Sequence, residues 1–281
     1  MKTPADIIYH PHGRFRSNHV GAHGSSEVGG FGVFRDQAPF LRFPDARRID
    51  LRATLRDPFG ETYVRRFEQR NAIDVYAIVD LSASMGFIGA VDRFEVACDI
   101  CSAIAFSSTR IGDRFGLIAG GGETDDPLFL RATRSKRVAL EAIERLREKA
   151  PSGFAAENLV KSAHGLGAGR KLVLLISDFR WSRHIIENVL DALTLHDVLP
   201  VVLVDSVEMD PPRWGLLELQ DPETGRRRMM VMRPAMREKW LEDEAARRAT
   251  LNRLAAGRAR PPIFIEDRFD PRLLSLRLMA V

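Results

Sequence analysis

Two hydrophobic rhythms alternate along the middle of the chain. Near-continuous apolar runs give way to stretches in which apolar residues recur every three or four positions. The runs "IDVYAIVD" (73–80), "KLVLLISDF" (171–179) and "LPVVLVD" (199–205) predict strands covered on both faces. In "DRFEVACDICSAIAFSSTR" (92–110), Phe94, Ala97, Cys98, Cys101, Ile104 and Ala105 fall at helical spacing. Further helices are predicted over 135–150, where Ser135 is placed to cap, over 156–166 and over 184–197. The segment 114–132 reads as two strands around a Gly-rich turn. Strand, helix, hairpin, two helices, strand, helix and strand make an α/β domain over 71–205. It is an open, mostly parallel sheet with helices on both faces.

The flanks read differently. Residues 1–70 are rich in Gly and Arg, and alternating pieces such as "TYVRRFEQR" (62–70) predict an extended or β-rich arm packed on the domain that follows. Residues 206–281 predict an α+β extension packed on that domain. It comprises a hairpin over 215–232 around "DPETG", a long amphipathic helix over 234–257 with Pro near its start and Gly at its end, and a short terminal helix. No internal repeat is visible.

Composition narrows the partners. The 281 residues carry 42 Lys and Arg against 38 Asp and Glu, a net charge of +4. So even a balance does not call for nucleic acid, and clustered arginines suit an acidic protein surface equally well. Seven arginines lie between Arg47 and Arg70. They read either as a solvated edge strand paired with Glu61 and Glu68 or as a docking surface for an acidic partner. Two cysteines exclude a disulfide framework. The first residues lack a signal-peptide pattern, and no window is apolar enough to span a membrane, so the cytoplasm is the expected location.

The candidate chemistry sits where two strands end. Asp80, Ser82 and Ser84 leave the first buried run, and Asp178 ends the second. In an open parallel sheet such ends face the ligand crevice. Carboxylate and hydroxyl oxygens are hard donors that suit Mg²⁺, which keeps several of its waters. Asp-x-Ser-x-Ser after a buried strand resembles the metal-ion-dependent adhesion site of the von Willebrand factor A domain. By that resemblance Asp80, Ser82, Ser84 and Asp178 are metal ligands. The serines would bind directly and the aspartates through water, with Mg²⁺ as the ion and Mn²⁺ or Ca²⁺ as the other candidates. The same resemblance gives the fold as von Willebrand factor A-like, which is Rossmann-like in architecture. A threonine usually comes from the loop before the third helix. Here that loop, "PSGFAAEN" (151–158), has only Ser152.

Residues 47–85 also resemble the conserved block of domain-of-unknown-function family 58, through Arg48, Ile49, Asp50, Leu51, Thr54 and Arg56. Leu51 stands where that family usually has tryptophan. The resemblance implies a MoxR-type AAA+ ATPase as partner, together with a client protein. In its MxaS-like branch the client is a methanol dehydrogenase that receives calcium. The expected function is therefore a non-enzymatic adaptor that grips an acidic residue on the client or the ATPase through the metal site. The alternative is a structural scaffold whose site is vestigial and metal-free.

Other motifs read as structure. Cys98 and Cys101 lie on the apolar face of a helix and suit small buried hydrophobes better than a redox pair or half a zinc site. His10, His12, His19 and His23 match no metal spacing. "GLGAGRK" (165–171) precedes a strand, whereas a phosphate loop follows one. "GGGETDD" (120–126) reads as a hairpin tip. No Ser-His-Asp order or paired glutamates point to catalysis, and His184 and Trp181 are only near the proposed site.

Overall fold

The structure, a computed structural model, describes residues 5–13, 15, 20–29, 33–120, 128–153, 156–220 and 227–280. The chain forms two compact units, Arg14–Ile73 and the combination of Met1–Gly13 with Asp74–Val281. The expected segment boundaries at 70 and 205 thus give way to a division at Gly13 and Ile73.

The smaller unit is a three-stranded antiparallel sheet of β1 (Val20–Gly29), β2 (Val33–Pro39) and β3 (Tyr63–Asn71), with β3 in the middle. A short helix, α1 (Leu51–Arg56), is set by Asp50. One Asp50 oxygen accepts from the backbone N–H groups of Arg52 and Ala53, and the other from Gln37 Nε2 and Arg65 Nε, both at 2.8 Å. The Arg65 guanidinium holds the Asp50 carboxyl well below the usual carboxylate range. Arg66 pairs with Asp36 and Arg48 with Asp45. These three arginines therefore meet aspartates of their own unit.

The larger unit contains β4 (Asp74–Asp80), α2 (Arg93–Arg110), β5 (Arg114–Gly120), β6 (Leu128–Thr133), α3 (Lys136–Arg147) and α4 (Ala156–His164). It continues with β7 (Leu172–Ser177), α5 (Arg183–Ala192), β8 (Asp197–Val204), α6 (Ser206–Met209), β9 (Gly215–Gln220) and β10 (Arg227–Met232). It ends with α7 (Pro234–Ala255), β11 (Ile263–Glu266) and α8 (Pro271–Met279). Six strands form the central sheet in the order β11-β8-β7-β4-β5-β6, and β9 pairs with β10 separately. Every pair in the central sheet is parallel except β5 with β6. This is a doubly wound α/β sheet of the von Willebrand factor A-like kind, and its strand order reverses between β4 and β7.

Burial follows from that architecture. Residues 75–80 of β4 and every residue of β7 and β8 are buried, as parallel strands between helix layers must be. Tyr76, Ile78, Val173 and Leu175 share one core cluster with Leu159, Ile186, Val189 and Leu251, so α4, α5 and α7 cover that face. On α2, Ala97, Cys98, Cys101 and Ile104 are buried, and on α3 Ile143 and Leu146. Both cysteines are buried deeply enough to push their thiols up, which suits packing and not redox work. The antiparallel edge depends on Tyr76, whose hydroxyl accepts the Ala132 N–H at 3.1 Å. Gly116 on β5 makes room for that ring, since a Cβ there would stand 2.3 Å from Tyr76 Cε1.

Two features of the ends were not read from the sequence. The C-terminal extension supplies the edge strand β11, whose four residues are too few for a periodicity signal. It pairs with β8 from Val201 onward. Pro200 therefore sits where β8 has a strand on one side only, which is where proline is tolerated. At the other end of the sheet, Arg260 donates to both Asp197 oxygens, at 2.8 and 2.6 Å, and to the carbonyls of His10 and Leu278. Asp197 also accepts from the His12 N–H at 2.6 Å. This buried network ties residues 5–13 to the larger unit and starts β8 at Asp197, inside the stretch expected to be helical. His10 and His12 serve it through their backbones, His23 lies in β1, and His19 falls outside the described residues. The 165–171 loop is a turn: Lys171 Nζ donates to the carbonyls of Gly167, Ala168 and Gly169. The glycine-rich tip over 121–126 and "DPETG" lie outside the described residues.

Filling the Gly116 space should be costly. Gly116→Val is expected to lower stability by about 1–3 kcal/mol through overpacking, measured by urea unfolding. A second expectation concerns pH. Burial, helped by Lys171 and Arg170, lowers the His196 pKa from 6.5 to about 4. Between those values the unfolded chain binds a proton that the folded one does not, so stability should fall as pH drops through that window. Thermal melts from pH 7 to 4 check this, and His196→Gln should flatten the slope.

Candidate functional site

The switch in strand order lies between β4 and β7, and the four predicted residues meet there. Asp80 is the last residue of β4. One of its oxygens accepts the Ser82 backbone N–H at 2.8 Å. The other accepts the Ser82 hydroxyl at 2.9 Å, the Ser177 hydroxyl at 2.8 Å and Trp181 Nε1 at 3.1 Å. Ser82 Oγ lies 3.2 Å from Ser84 Oγ. Asp178 follows β7. Its Oδ1 accepts the Arg180 N–H at 3.1 Å, and its Oδ2 accepts Arg93 Nη1 at 2.9 Å.

Local backbone chemistry explains the placement. Asp80 folds the chain back on itself through the Ser82 N–H, the kind of turn that Asp side chains favour. Phe179 adopts a left-handed conformation, with φ of 51°, and donates its N–H to Ser177 Oγ. That turn buries the Phe179 ring and aims Asp178 at Arg93. Arg93 opens α2, with Asp92 as its cap accepting from Phe94 and Glu95 N–H groups.

Arg93 organises the site. Its Nη1 donates to the Ser84 carbonyl at 3.0 Å as well as to Asp178, and its Nη2 to Glu208 of α6 at 2.5 Å. The guanidinium also stands 5.2 Å from the centre of the Phe87 ring. Arg180 reaches the same Glu208 oxygen, and Arg247 of α7 donates to the Asp178 carbonyl. Arg93, Ser177 and Glu208 were not among the predicted site residues. The signals were faint: a cation in the first turn of a helix, against the dipole, and one hydroxyl at the end of an apolar strand.

A divalent ion can be tested against this donor set. Mg²⁺ takes octahedral oxygen ligands and keeps several waters. The Asp80 carboxylate already accepts four hydrogen bonds, three of them on one oxygen, which leaves acceptor room on Oδ1 alone. Asp178 is paired with a guanidinium that is 3% exposed. Asp80, Ser82, Ser84 and Asp178 are themselves no more than 5% exposed. Ser152 is exposed and joins the Asp80–Ser84 loop through its backbone, donating its N–H to the Leu81 carbonyl. Among the described residues no three His, Cys, Asp or Glu side chains are grouped to hold a metal ion. The residues as arranged do not fit Mg²⁺. Burial, with Asp178 adding, pushes the Asp80 carboxyl up to about 6. His184 lies apart on the surface of α5, against Asn188.

A model of the family described as "Protein of unknown function DUF58" matches residues 43–250. The chain belongs to the DUF58 family. It is 25% identical over 220 residues to the uncharacterized protein Rv1480 of Mycobacterium tuberculosis, covering 77% of this chain and 69% of that one. It is 42% identical over 104 residues to an uncharacterized protein in the moxR 3' region of Paracoccus denitrificans, covering 37% of this chain and 99% of that one. Among solved structures, an aerotolerance-related membrane protein from Bacteroides fragilis aligns with a TM-score of 0.42 and 16% identity. That alignment covers 73% of this chain and 95% of the other. Against the cytoplasmic location expected from the sequence stands this neighbour's description as a membrane protein, which is said of that protein and not of this chain. No helix among the described residues of this DUF58 chain is long and apolar enough to cross a membrane, a property compatible with any compartment.

The Arg93–Asp178 pair carries a stability prediction. Asp178→Ala removes the buried partner of the Arg93 guanidinium and leaves it only the half-buried Glu208 carboxylate, which is expected to cost about 3 kcal/mol in denaturant unfolding. Arg93→Ala combined with Asp178→Ala should cost less than the two single losses summed, as coupled partners do.

Proposed function

We propose that this chain is a non-enzymatic adaptor that docks on a MoxR-type AAA+ ATPase and presents a client to it. The observation that carries this reading is the surface of α1 and the turn after it. Leu51, Leu55 and Phe59 are 69%, 85% and 87% exposed, with Arg52 and Arg56 between them. Exposed apolar groups of this size in a short stretch mark an interaction site. The interleaved arginines suit an acidic partner and would steer its approach. The relative in the Paracoccus moxR 3' region supports the ATPase as that partner. The client we assign is a methanol dehydrogenase-type enzyme receiving calcium, as in the MxaS-like branch that the chain resembles.

The role is binding and not catalysis. At the strand ends the hydroxyls of Ser82 and Ser177 both donate to Asp80 and are buried with it, so neither is presented to a substrate. In this reading Asp80, Ser82, Ser84 and Asp178 shape the loops at the sheet's crevice, while α1 makes the contact.

Calorimetry with the product of that moxR gene tests the docking. Leu51→Asp with Leu55→Asp is expected to weaken binding by about tenfold or more, equivalent to roughly 1.4 kcal/mol. The thermal midpoint should barely move, because both side chains are exposed. Association should slow as salt is raised. Undiminished affinity in the double variant would count against α1 as the contact.

A further inference from the structure

We infer that Arg93 is the resident cation of the strand-end site, holding the Asp-x-Ser-x-Ser loop and the second strand end together without a divalent ion. The inference is independent of the ATPase reading, since it concerns only what binds the crevice from within.

Three observations converge on it. The first is reach. One guanidinium touches the Ser84 carbonyl after β4, the Asp178 carboxylate after β7 and the Glu208 carboxylate after β8. Those three strands are neighbours in the sheet, in the order β8-β7-β4. A metal ion at the crevice would bridge the loops of β4 and β7; Arg93 bridges these and α6 as well. The second is charge. A guanidinium already neutralises Asp178, and a dication beside it would face like-charge repulsion where little water screens it. The third is supply of ligands. Asp80 Oδ2 is saturated by three donors of the protein itself and Oδ1 holds a fourth, and one of those donors is the hydroxyl of Ser82. The loop "PSGFAAEN" brings no threonine, and its Ser152 is exposed.

The guanidinium also does what a spherical ion cannot. It is planar, offers donors in fixed directions and stacks near the Phe87 ring. It therefore sets the angle between the loops as well as their separation.

The experiment is a metal titration of the full chain, read by calorimetric melting. Wild-type protein in about 10 mM Mg²⁺ or Mn²⁺ should melt at the same temperature as in EDTA, because a ligand that does not bind the folded state shifts nothing. A bound ion at a hundredfold excess over its Kd would raise the midpoint by roughly 5 °C. A saturable rise of that size in wild type overturns the proposal, as does one Mn²⁺ per chain bound by wild type in electron paramagnetic resonance. Arg93→Ala should melt several degrees lower in EDTA and then respond to Mg²⁺ or Mn²⁺, which would enter the vacated space between Asp178 and the serines. If Arg93→Ala melts like wild type, the cation is not holding the site and the proposal fails. Should Arg93→Ala not fold, Arg93→Lys carries the comparison. A folded, metal-indifferent Lys variant supports the proposal, and a Lys variant that binds Mn²⁺ overturns it.

Discussion

A parallel sheet leaves all its strand ends of one polarity at the same edge, and something must join the loops that leave them. Here that task falls to a buried ion pair. Arg93 and Asp178 are 3% and 1% exposed and lie 2.9 Å apart. Each alone would be a severe cost in the interior, and together they are tolerable because further hydrogen bonds engage the rest of both groups except Arg93 Nε, which is buried without a partner. The Ser84 carbonyl, Glu208 and the Arg180 N–H provide those bonds. The loops after β4, β7 and β8 are therefore not free to separate without exposing an unpaired charge.

The opposite edge of the sheet repeats the device with different residues. Arg260 and Asp197 are 5% and 3% exposed, and Arg260 gathers the carbonyls of His10 and Leu278. This second pair explains why the first residues of the chain belong to the larger unit although sixty residues of another unit intervene. Between the two clamps the sheet is apolar, with β7 and β8 buried along their whole length. The clamps add direction to a core that is otherwise held by non-directional burial.

This arrangement separates two roles that the adhesion-type reading combined. The oxygen cluster at the strand ends is inside and is engaged by protein donors. The surface with unmet apolar demand is elsewhere, on α1, within the stretch that carries the family resemblance. A binding protein needs both: a rigid frame to present a surface, and a surface whose burial against a partner is favourable.

Much of the frame was legible in the sequence. The three buried runs became β4, β7 and β8, because a strand covered on both faces has to be apolar throughout. The amphipathic stretches became α2, α3, α4, α5 and α7, because a helix on a sheet needs a single apolar stripe. Placing Asp80 and Asp178 at neighbouring strand ends followed from that order alone. What the sequence could not show was who pairs with whom. Arg93 reads locally as a solvent-facing residue at a helix start, its partner Glu208 lies 115 residues further along the chain, and four residues of β11 carry no period of their own. Hydrophobic periodicity is a local property and survives in the sequence. The burial of a charge, and the partner that makes it bearable, exist only once distant segments are packed together.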